Sequence, residues 1–175
     1  MQSERVDIII LRGAPGSGKS QAAKSLTKFF PKGVKVEVDI LRQMVISVDW
    51  KNQEEHINIL QVSTRLVYDY LKLGFNPIIV VDTFSGDKIY KYLDSLYQLD
   101  NTISIKLFGL YVTEDELRRR LDLRSNGEFR DLEICKRLNE DVLITKYDTE
   151  FQIDTTGLLP KETAGIIYDQ IYNNG

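Results

Sequence analysis

A run of eight residues early in the sequence matches the phosphate-binding pattern G-x-x-x-x-G-K-[ST] at every fixed position: Gly13-Ala14-Pro15-Gly16-Ser17-Gly18-Lys19-Ser20. Its glycines allow the backbone to wrap closely around a phosphate and to point N–H groups at it. Lys19 is placed to reach the β- and γ-phosphates of a nucleotide, and the Ser20 hydroxyl is placed to bind Mg²⁺. A strand pattern precedes the run and an amphipathic helix pattern follows it, as the motif requires. The run therefore predicts a nucleoside triphosphate site, but it does not select a reaction.

Two aspartates follow segments that have the composition of strands. Asp39 comes after the alternating valines of 34–38, and Asp82 comes after the apolar run 78–81. Because the carboxyl ends of parallel strands line the ligand crevice, we expect both carboxylates there. Asp39 would take the proton of an acceptor hydroxyl as the phosphate arrives, and Asp82 would hold a magnesium-bound water or orient Arg42. The alternative for each aspartate is a helix cap or loop residue without chemistry.

Three arginines are spaced for contacts with anionic groups. Arg42 follows Asp39 by three residues, so the two share one side of a helix if Asp39 is its N-cap. A bidentate contact from Arg42 to an anionic substrate group would then be possible. Arg120 and Arg124 stand four residues apart and are expected to project together, where a polyphosphate would neutralise their mutual repulsion. The alternative for all three is a solvated surface charge.

The segment of approximately residues 114–140 has the pattern helix, flexible tip, helix. The tip is predicted at residues 125–129, and arginines stand on both limbs, including Arg130 and Arg137 beyond the tip. Such a segment can close over a site, exclude water and bring positive charge to a transferring phosphoryl group. We therefore predict a lid, with a basic helix paired to its own acidic residues as the alternative.

Strand and helix patterns alternate along the chain. Nearly continuous apolar runs at 6–11 and 77–82 are typical of central parallel strands that are covered on both faces. Further elements are predicted as strands at 34–38, within 103–112 and at 151–154, and as a long helix over Gln53–Leu73. Thr113 and Glu116 predict a capping box at the start of another helix. The alternation predicts a parallel sheet between helices, with right-handed crossovers.

Composition limits the class of protein. A net charge of −3 excludes a global positive field, so nucleic acid is a possible partner but not a favoured one. The lone cysteine, Cys135, excludes an internal disulfide and is expected to be buried. No apolar run approaches the ~20 residues of a membrane span, and residues 1–5 lack a signal-peptide pattern. We therefore expect a cytoplasmic protein with a small-molecule or nucleotide acceptor and no membrane partner, while oligomeric state is not predicted.

Two single aromatic residues lie between the candidate site residues. His56 falls within the long helix and is expected to be structural. Trp50 falls in a polar loop between Arg42 and that helix, where contact with an acceptor and a packing role are equally expected.

Taken together, these residues resemble the P-loop kinase group that includes the 5′-kinase domain of phage polynucleotide kinase, zeta-toxin-like kinases and chloramphenicol-phosphotransferase-like kinases, which are small kinases of AAA type. The resemblance covers nearly the whole chain and is carried by Gly13 to Ser20, Asp39-x-x-Arg42, Val81-Asp82-Thr83 and Glu116-x-x-x-Arg120-x-x-x-Arg124. It implies a P-loop NTPase fold in one α/β domain over residues 1–175, with three α/β/α layers, a five-stranded parallel sheet of order 2-3-1-4-5 and a helical lid. The segment from Phe151 to Leu158 resembles the final strand and loop that lie beside the adenine ring.

The resemblance also implies roles for individual residues and names ATP and Mg²⁺ as cofactors. The catalytic residues would be Lys19, Asp39 as base and Arg124. The acceptor would be bound by Asp39, Arg42 and Asp82, and the metal by Ser20 and Asp82. The ATP phosphates would be bound by the loop Gly13 to Ser20 and by the lid arginines Arg120 and Arg124. One departure concerns the stretch Arg124 to Arg137, which also resembles the lid of guanylate-kinase-like enzymes. It leaves the class of acceptor open.

The leading hypothesis is therefore a kinase that transfers the γ-phosphate of ATP to a hydroxyl of a small molecule or of a polynucleotide 5′ end. A nucleoside monophosphate kinase is the alternative, since its acceptor phosphate needs no base. A GTPase-like switch is a third possibility, because Thr145-Lys146-Tyr147-Asp148 fits [NT]-K-x-D. Against it, the motif precedes the last predicted strand, and the stretch beginning at Asp82 lacks the glycine of D-x-x-G. The fourth possibility is a nucleotide-binding module without catalysis.

Overall fold

Five strands form one sheet in the computed structural model, which describes residues 5–173. They are β1 (Ile8–Arg12), β2 (Val34–Glu37), β3 (Ile78–Asp82), β4 (Ile105–Tyr111) and β5 (Phe151–Asp154). All four pairings are parallel, and the order is β2-β3-β1-β4-β5. The expected parallel sheet of order 2-3-1-4-5 is therefore confirmed. Residues 1–4, in which no signal-peptide pattern was found, lie outside the described residues.

Each strand leads into helical structure. The helices are α1 (Lys19–Leu26), which continues as a 3₁₀ turn at Thr27–Phe29, then α2 (Val38–Gln43), α3 (Gln53–Lys72), α4 (Lys88–Leu99), α5 (Glu114–Asp122), α6 (Leu132–Ile144) and α7 (Pro160–Tyr172). Between residues 5 and 173, no helix is both long and apolar enough to cross a membrane.

The central strand β1 is apolar from Ile8 to Leu11 because both of its faces are covered. Ile8 and Ile10 belong to a buried cluster with side chains of α3 and α4, whereas Ile9 and Leu11 belong to a second cluster with side chains of α1 and α7. This division gives three layers, with the sheet between helices. A smaller cluster, which includes the fully buried Cys135, packs between α5 and α6.

Two local expectations are wrong. The second strand ends at Glu37, one residue before the expected end at Val38, and Asp39 lies in the first turn of α2 instead of directly after a strand. The completely buried Val38 therefore begins a helix, and a carboxylate in a first turn is favoured by the helix dipole. The position of Asp39 as an N-cap is also excluded, because Glu37 is the residue that precedes α2.

The capping box predicted at α5 does not form, although Thr113 does occupy the N-cap position. The Glu116 carboxylate instead accepts charge-assisted hydrogen bonds from Arg119 (2.8 Å) and Arg120 (2.7 Å), which are stronger than a bond to a neutral backbone N–H. The backbone N–H of Thr113 donates to Thr156 Oγ1 (2.9 Å). The hydrogen bond from Arg119, and to a smaller extent that from Arg120, lowers the pKa of Glu116 to about 2.

A fully buried ion pair lies behind the phosphate loop. Arg12, the last residue of β1, donates from Nε and Nη2 to the two carboxylate oxygens of Glu150, at 2.9 and 3.0 Å. Its remaining donors reach Thr145 Oγ1 (3.3 Å) and the carbonyls of Val142 (3.2 Å) and Thr145 (2.9 Å). The end of α6 is thereby fixed to the strand from which the phosphate loop begins.

We expect Glu150→Gln to destabilise the protein by about 3–5 kcal/mol, because it leaves the buried Arg12 charge without its partner. Replacing both partners with Met should cost less than either single change, since no buried charge then remains. Urea unfolding measures both effects. Asp87→Asn breaks the exposed Asp87–Lys91 pair and serves as the control, expected to leave the midpoint unchanged. A Glu150→Gln midpoint equal to that of the control would contradict the role given to this pair.

Candidate active site

The phosphate loop connects β1 to α1 in the conformation that its glycines permit. Gly16 and Gly18 have φ values of 90° and 88°, in the left-handed region that side chains other than glycine rarely adopt. Gly18 immediately precedes α1, so the free N–H groups of the first helical turn are presented at the loop. The carbonyl of Ala14 accepts from Ser17 N (3.0 Å) and from Lys19 Nζ (3.3 Å).

Two side chains from distant elements brace this loop from outside. Thr155, just after β5, donates from Oγ1 to the Ser17 carbonyl (2.8 Å). Arg120 of α5 donates to Thr155 Oγ1 (3.0 Å), to the Thr155 carbonyl (2.6 Å) and, more weakly, to the Gly16 carbonyl (3.4 Å). Sequence reasoning placed Arg120 beside the nucleotide, and the structure brings it against the phosphate loop. Its contact with phosphate stays a prediction.

Arg124 is separated from Arg120 by the end of the helix. Because α5 ends at Asp122, the expected projection of both arginines from one helix does not occur. Arg124 donates to the Phe129 carbonyl (3.1 Å) and lies 3.5 Å from Glu128 Oε1. The charge of Arg124 still acts on the phosphate loop, because, after burial, it contributes to the lowered pKa of Lys19.

Lys19, Asp39 and Asp82 form one electrostatic group. Burial lowers the pKa of the Lys19 amine, and the two carboxylates oppose that change. Burial and then the charge of Asp82 raise the pKa of Asp39 above its usual value. A raised pKa makes the Asp39 carboxylate a stronger proton acceptor. The structure thus brings together the amine and the two carboxylates that the sequence separates by up to 63 positions, from Lys19 to Asp82.

Asp82 belongs to a hydrogen-bonded series of side chains that was not predicted from the sequence. Its Oδ1 lies 3.3 Å from His56 Nε2, and its Oδ2 accepts from the Phe84 backbone N–H (2.9 Å). Lys88 Nζ lies 3.1 Å from His56 Nδ1 and 2.6 Å from Gln53 Oε1. Because an ammonium only donates, this series requires an unprotonated Nδ1, which leaves Nε2–H to donate to Asp82.

These contacts shift the pKa values of Asp82 and Lys88. Burial by itself would raise the pKa of Asp82, but the hydrogen bonds from His56 and from the Phe84 N–H, together with the charge of Lys19, bring the pKa below its usual value. Burial lowers the pKa of Lys88, and the Asp82 charge opposes this. His56 therefore contacts a candidate site residue. One signal could have revealed it, since His56 lies four residues before Leu60 on the buried face of α3.

Arg42 is buried near this group without being bound to Asp82. It is 5% exposed, its Nη2 donates to the Asp49 carbonyl (3.2 Å), and the Trp50 ring lies 4.7 Å from its Cζ. Among the described residues, the hydrogen bonds of Asp82 go to His56 and Phe84, so the expected orientation of Arg42 by Asp82 is not seen. The Arg42 charge still acts on Asp39, because it is one of the charges that partly oppose the rise in the pKa of Asp39 caused by burial and by Asp82.

The arrangement fits a nucleotide polyphosphate with Mg²⁺. Backbone N–H groups, the open N-terminus of α1 and the Lys19 amine supply the donors that phosphates require. No cluster of three His, Cys, Asp or Glu side chains suited to a metal ion occurs between residues 5 and 173. A magnesium ion would therefore depend on phosphate oxygens together with Ser20 and Asp82, which is how this metal is commonly held in such sites.

The motif that resembles a guanine-binding sequence has a structural role instead. Thr145 is the C-cap of α6, and it precedes β5, as predicted from the sequence. Its hydroxyl and carbonyl both accept hydrogen bonds from Arg12. These contacts argue against a GTPase-like switch.

Comparison with known proteins shows the family. The family model AAA_33, described as an AAA domain, matches residues 8–147, and the chain belongs to this family. A search of curated protein sequences finds no match.

Solved structures share the fold at low sequence identity. The tunicamycin resistance protein of Deinococcus radiodurans is 19% identical, with a TM-score of 0.66, over 95% of this chain and 96% of the other. A gluconokinase from Sinorhizobium meliloti 1021 is 17% identical, with a TM-score of 0.66, over 98% and 97% of the two chains. A chain of the Pnkp1/Rnl/Hen1 RNA repair complex is 22% identical, with a TM-score of 0.66, over 83% and 47%. The expected resemblance to small P-loop kinases is therefore confirmed at the level of the fold.

We expect Gly13→Ala to weaken nucleotide binding, because a Cβ at this position would lie 2.6 Å from the Leu110 carbonyl and would also contact Ser17 Oγ. Overpacking of about 1–3 kcal/mol would lower the affinity for ATP with Mg²⁺ by about five- to 150-fold, measured by calorimetry. Gly165→Ala is the matched control, since no atom lies within 4 Å of its added Cβ. Equal affinities for the two variants would exclude a close fit at Gly13.

Proposed function

We propose that this chain is a kinase that transfers the γ-phosphate of ATP, in the presence of Mg²⁺, to the hydroxyl of a small molecule or nucleotide. The single observation that carries the proposal is the position of Asp39, a solvent-accessible carboxylate of raised pKa within electrostatic range of the phosphate-loop amine Lys19. A GTPase or an inactive nucleotide-binding module has no need of such a base. A nucleoside monophosphate kinase does not need it either, because its acceptor is already anionic.

Different residues bind the phosphates and accept the proton during the transfer. The loop from Gly13 to Ser20 binds the phosphates through its N–H groups, and Lys19 neutralises the β- and γ-phosphates. Asp39 accepts the proton of the acceptor hydroxyl. Ser20 and Asp82 would hold Mg²⁺, which would supply charge neutralisation for the phosphate oxygens.

The remaining basic residues act from the lid and from the acceptor side. Arg124 contacts the transferring phosphate when the lid closes, while Arg120 keeps the lid joined to the phosphate loop and lies beside the ATP phosphates. We place the lid at approximately residues 114–140 of a single kinase domain spanning residues 1–175. Arg42 binds an anionic group of the acceptor.

The Asp39→Asn variant tests the assigned base. We expect transfer to fall by about 10²–10⁴-fold, the usual contribution of a general base, while the affinity for ATP with Mg²⁺ stays nearly unchanged. Phosphoryl transfer and nucleotide binding are measured separately, by product analysis and calorimetry. Asp69→Asn, at an exposed position of α3, is the control and should keep full activity. Full transfer by Asp39→Asn would remove the base from the mechanism.

A panel of acceptors distinguishes the two classes of kinase by their products. With radiolabelled ATP, the proposal predicts label in a phosphate ester of a hydroxyl compound. Label appearing only in nucleoside diphosphates, formed from monophosphates, would favour the alternative. GTP in place of ATP tests the nucleotide preference in the same assay.

A further inference from the structure

Lys88, the first residue of α4, has three acceptors around its ammonium group. Gln53 Oε1 lies 2.6 Å from Nζ, His56 Nδ1 lies 3.1 Å from it, and Ser85 Oγ lies 3.4 Å from it. An ammonium carries three N–H donors and no acceptor, so these three contacts use all of its donors. The amine is therefore occupied by groups of the protein, which argues against a role of Lys88 as a phosphate ligand.

The contact with Lys88 determines the role of each ring nitrogen of His56. Because Nδ1 accepts from the ammonium, the proton of the neutral ring is on Nε2, which lies 3.3 Å from Asp82 Oδ1. In the opposite tautomer, the lone pair of Nε2 would face the carboxylate oxygen and repel it. This role does not require His56 to titrate, because it depends only on which nitrogen of the neutral ring carries the proton.

The other oxygen of Asp82 is held by a strained turn. Among residues 5–173, Phe84 is the one residue other than glycine that has a positive φ, of 48°. Its side chain is completely buried, and its ring centroid lies 4.9 Å from that of Tyr92 in α4. Its backbone N–H donates to Asp82 Oδ2 at 2.9 Å. Such strain persists where the surrounding packing enforces it, and it is frequent at functional sites.

The contact between His56 and Asp82 is shielded from water. The two side chains are 9% and 2% exposed. A buried carboxylate oxygen that loses its donor remains unsatisfied, because water does not readily take the place of that donor. The orientation of the Asp82 carboxylate therefore depends on the proton of His56, and the position of that proton depends on Lys88.

A neutral donor suits a carboxylate that has to hold a cation. His56 bonds to Asp82 Oδ1 without adding a positive charge, so the full negative charge of the carboxylate stays available for Mg²⁺. Groups that orient a metal-binding side chain in this way are general in metal sites, where the loss of one costs about 10- to 100-fold in metal affinity. The pKa of Asp82 agrees with this arrangement, because the hydrogen bonds outweigh the effect of burial and keep the group ionised.

From these contacts we propose that Lys88 and His56 are positioning residues for Mg²⁺. The Lys88 ammonium directs the His56 proton to Nε2, and Nε2–H holds Asp82 in the orientation in which it binds the metal or a metal-bound water. Gln53 and Ser85 act one step further away, because they hold the amine of Lys88. The proposal rests on the proposed function for the role of Asp82 beside Mg²⁺ and ATP.

His56 is the only histidine of the sequence, so its two ring nitrogens can be observed without overlap in the untagged protein. Long-range ¹H–¹⁵N NMR spectra, recorded without nucleotide or metal, distinguish a protonated ring nitrogen from an unprotonated one. At about pH 7.5, where an ordinary imidazole is mostly neutral, we expect a proton on Nε2 and none on Nδ1. Lys88→Met should permit a proton on Nδ1. Lys91→Met, the same change at an exposed position one turn further along α4, is the control and should leave the spectrum unchanged.

Calorimetry tests whether this arrangement positions Asp82 for the metal. The affinity for ATP is measured with and without Mg²⁺, and the gain in affinity due to Mg²⁺ is compared between variants that are checked for folding by circular dichroism. His56→Leu removes the donor and should reduce the gain by about 10- to 100-fold, while the affinity without Mg²⁺ stays nearly unchanged. His56→Gln should restore most of the gain, because the side-chain amide N–H reaches about as far as Nε2–H. A role of His56 in packing alone would not be restored in this way.

Four results would overturn the positioning role: a proton on Nδ1 of the unmodified protein, unchanged proton positions in Lys88→Met, an undiminished gain from Mg²⁺ in His56→Leu, or equal losses in His56→Leu and His56→Gln. A protein that gains no affinity for ATP from Mg²⁺ would overturn the positioning role and the proposed cofactor together. Because none of these experiments measures turnover, their failure is separate from failure of the proposed transfer. That transfer is judged by Asp39→Asn and by the labelled product.

Discussion

The in-register parallel pairing of β1 with β3 is the constraint on which the candidate site depends. Arg12 and Asp82, the last residues of these strands, are partners across the ladder. The phosphate loop that follows Arg12 therefore begins beside Asp82. Because all five strands are parallel, the segments after β2 and β5 open at the same edge, and they bring Asp39 and Thr155 to the loop. A sheet with one antiparallel central strand would separate these groups.

Features that depend on neighbouring residues were predictable from the sequence. The apolar run before Gly13 identified β1, because a strand covered on both faces has no polar alternation. The phosphate motif fixed the start of α1 through its glycines, and the periodicity of 53–73 identified α3 almost to the residue. The strand order was implied by the resemblance of the motifs to a kinase group, and the alternation of strands and helices alone would not have supplied it.

Features that depend on distant partners were not predictable. Arg12 and Glu150 are 138 residues apart, and neither forms part of a motif, so the sequence carries no sign that they form a buried pair. His56 was interpreted as a structural residue. Its contact with Asp82 could not be predicted, because that contact exists only once α3 packs beside β3. The capping box at Thr113 failed for a related reason. Its local pattern was correct, but arginines on the same helix competed more strongly for the Glu116 carboxylate.

The two halves of the site differ in how far they are organised before a ligand arrives. On the nucleotide side, Arg120 and Thr155 fix the backbone of the phosphate loop, so little ordering remains to oppose binding. On the acceptor side, Arg42 stacks on Trp50, and its buried Nε has no hydrogen-bond partner among the described residues, so this half of the site is incompletely bonded. This difference makes chemical sense for a kinase, since every substrate pair shares the triphosphate while only the acceptor must be selected. A buried donor left without a partner is costly, so a site that contains one discriminates against a ligand that cannot bond to it.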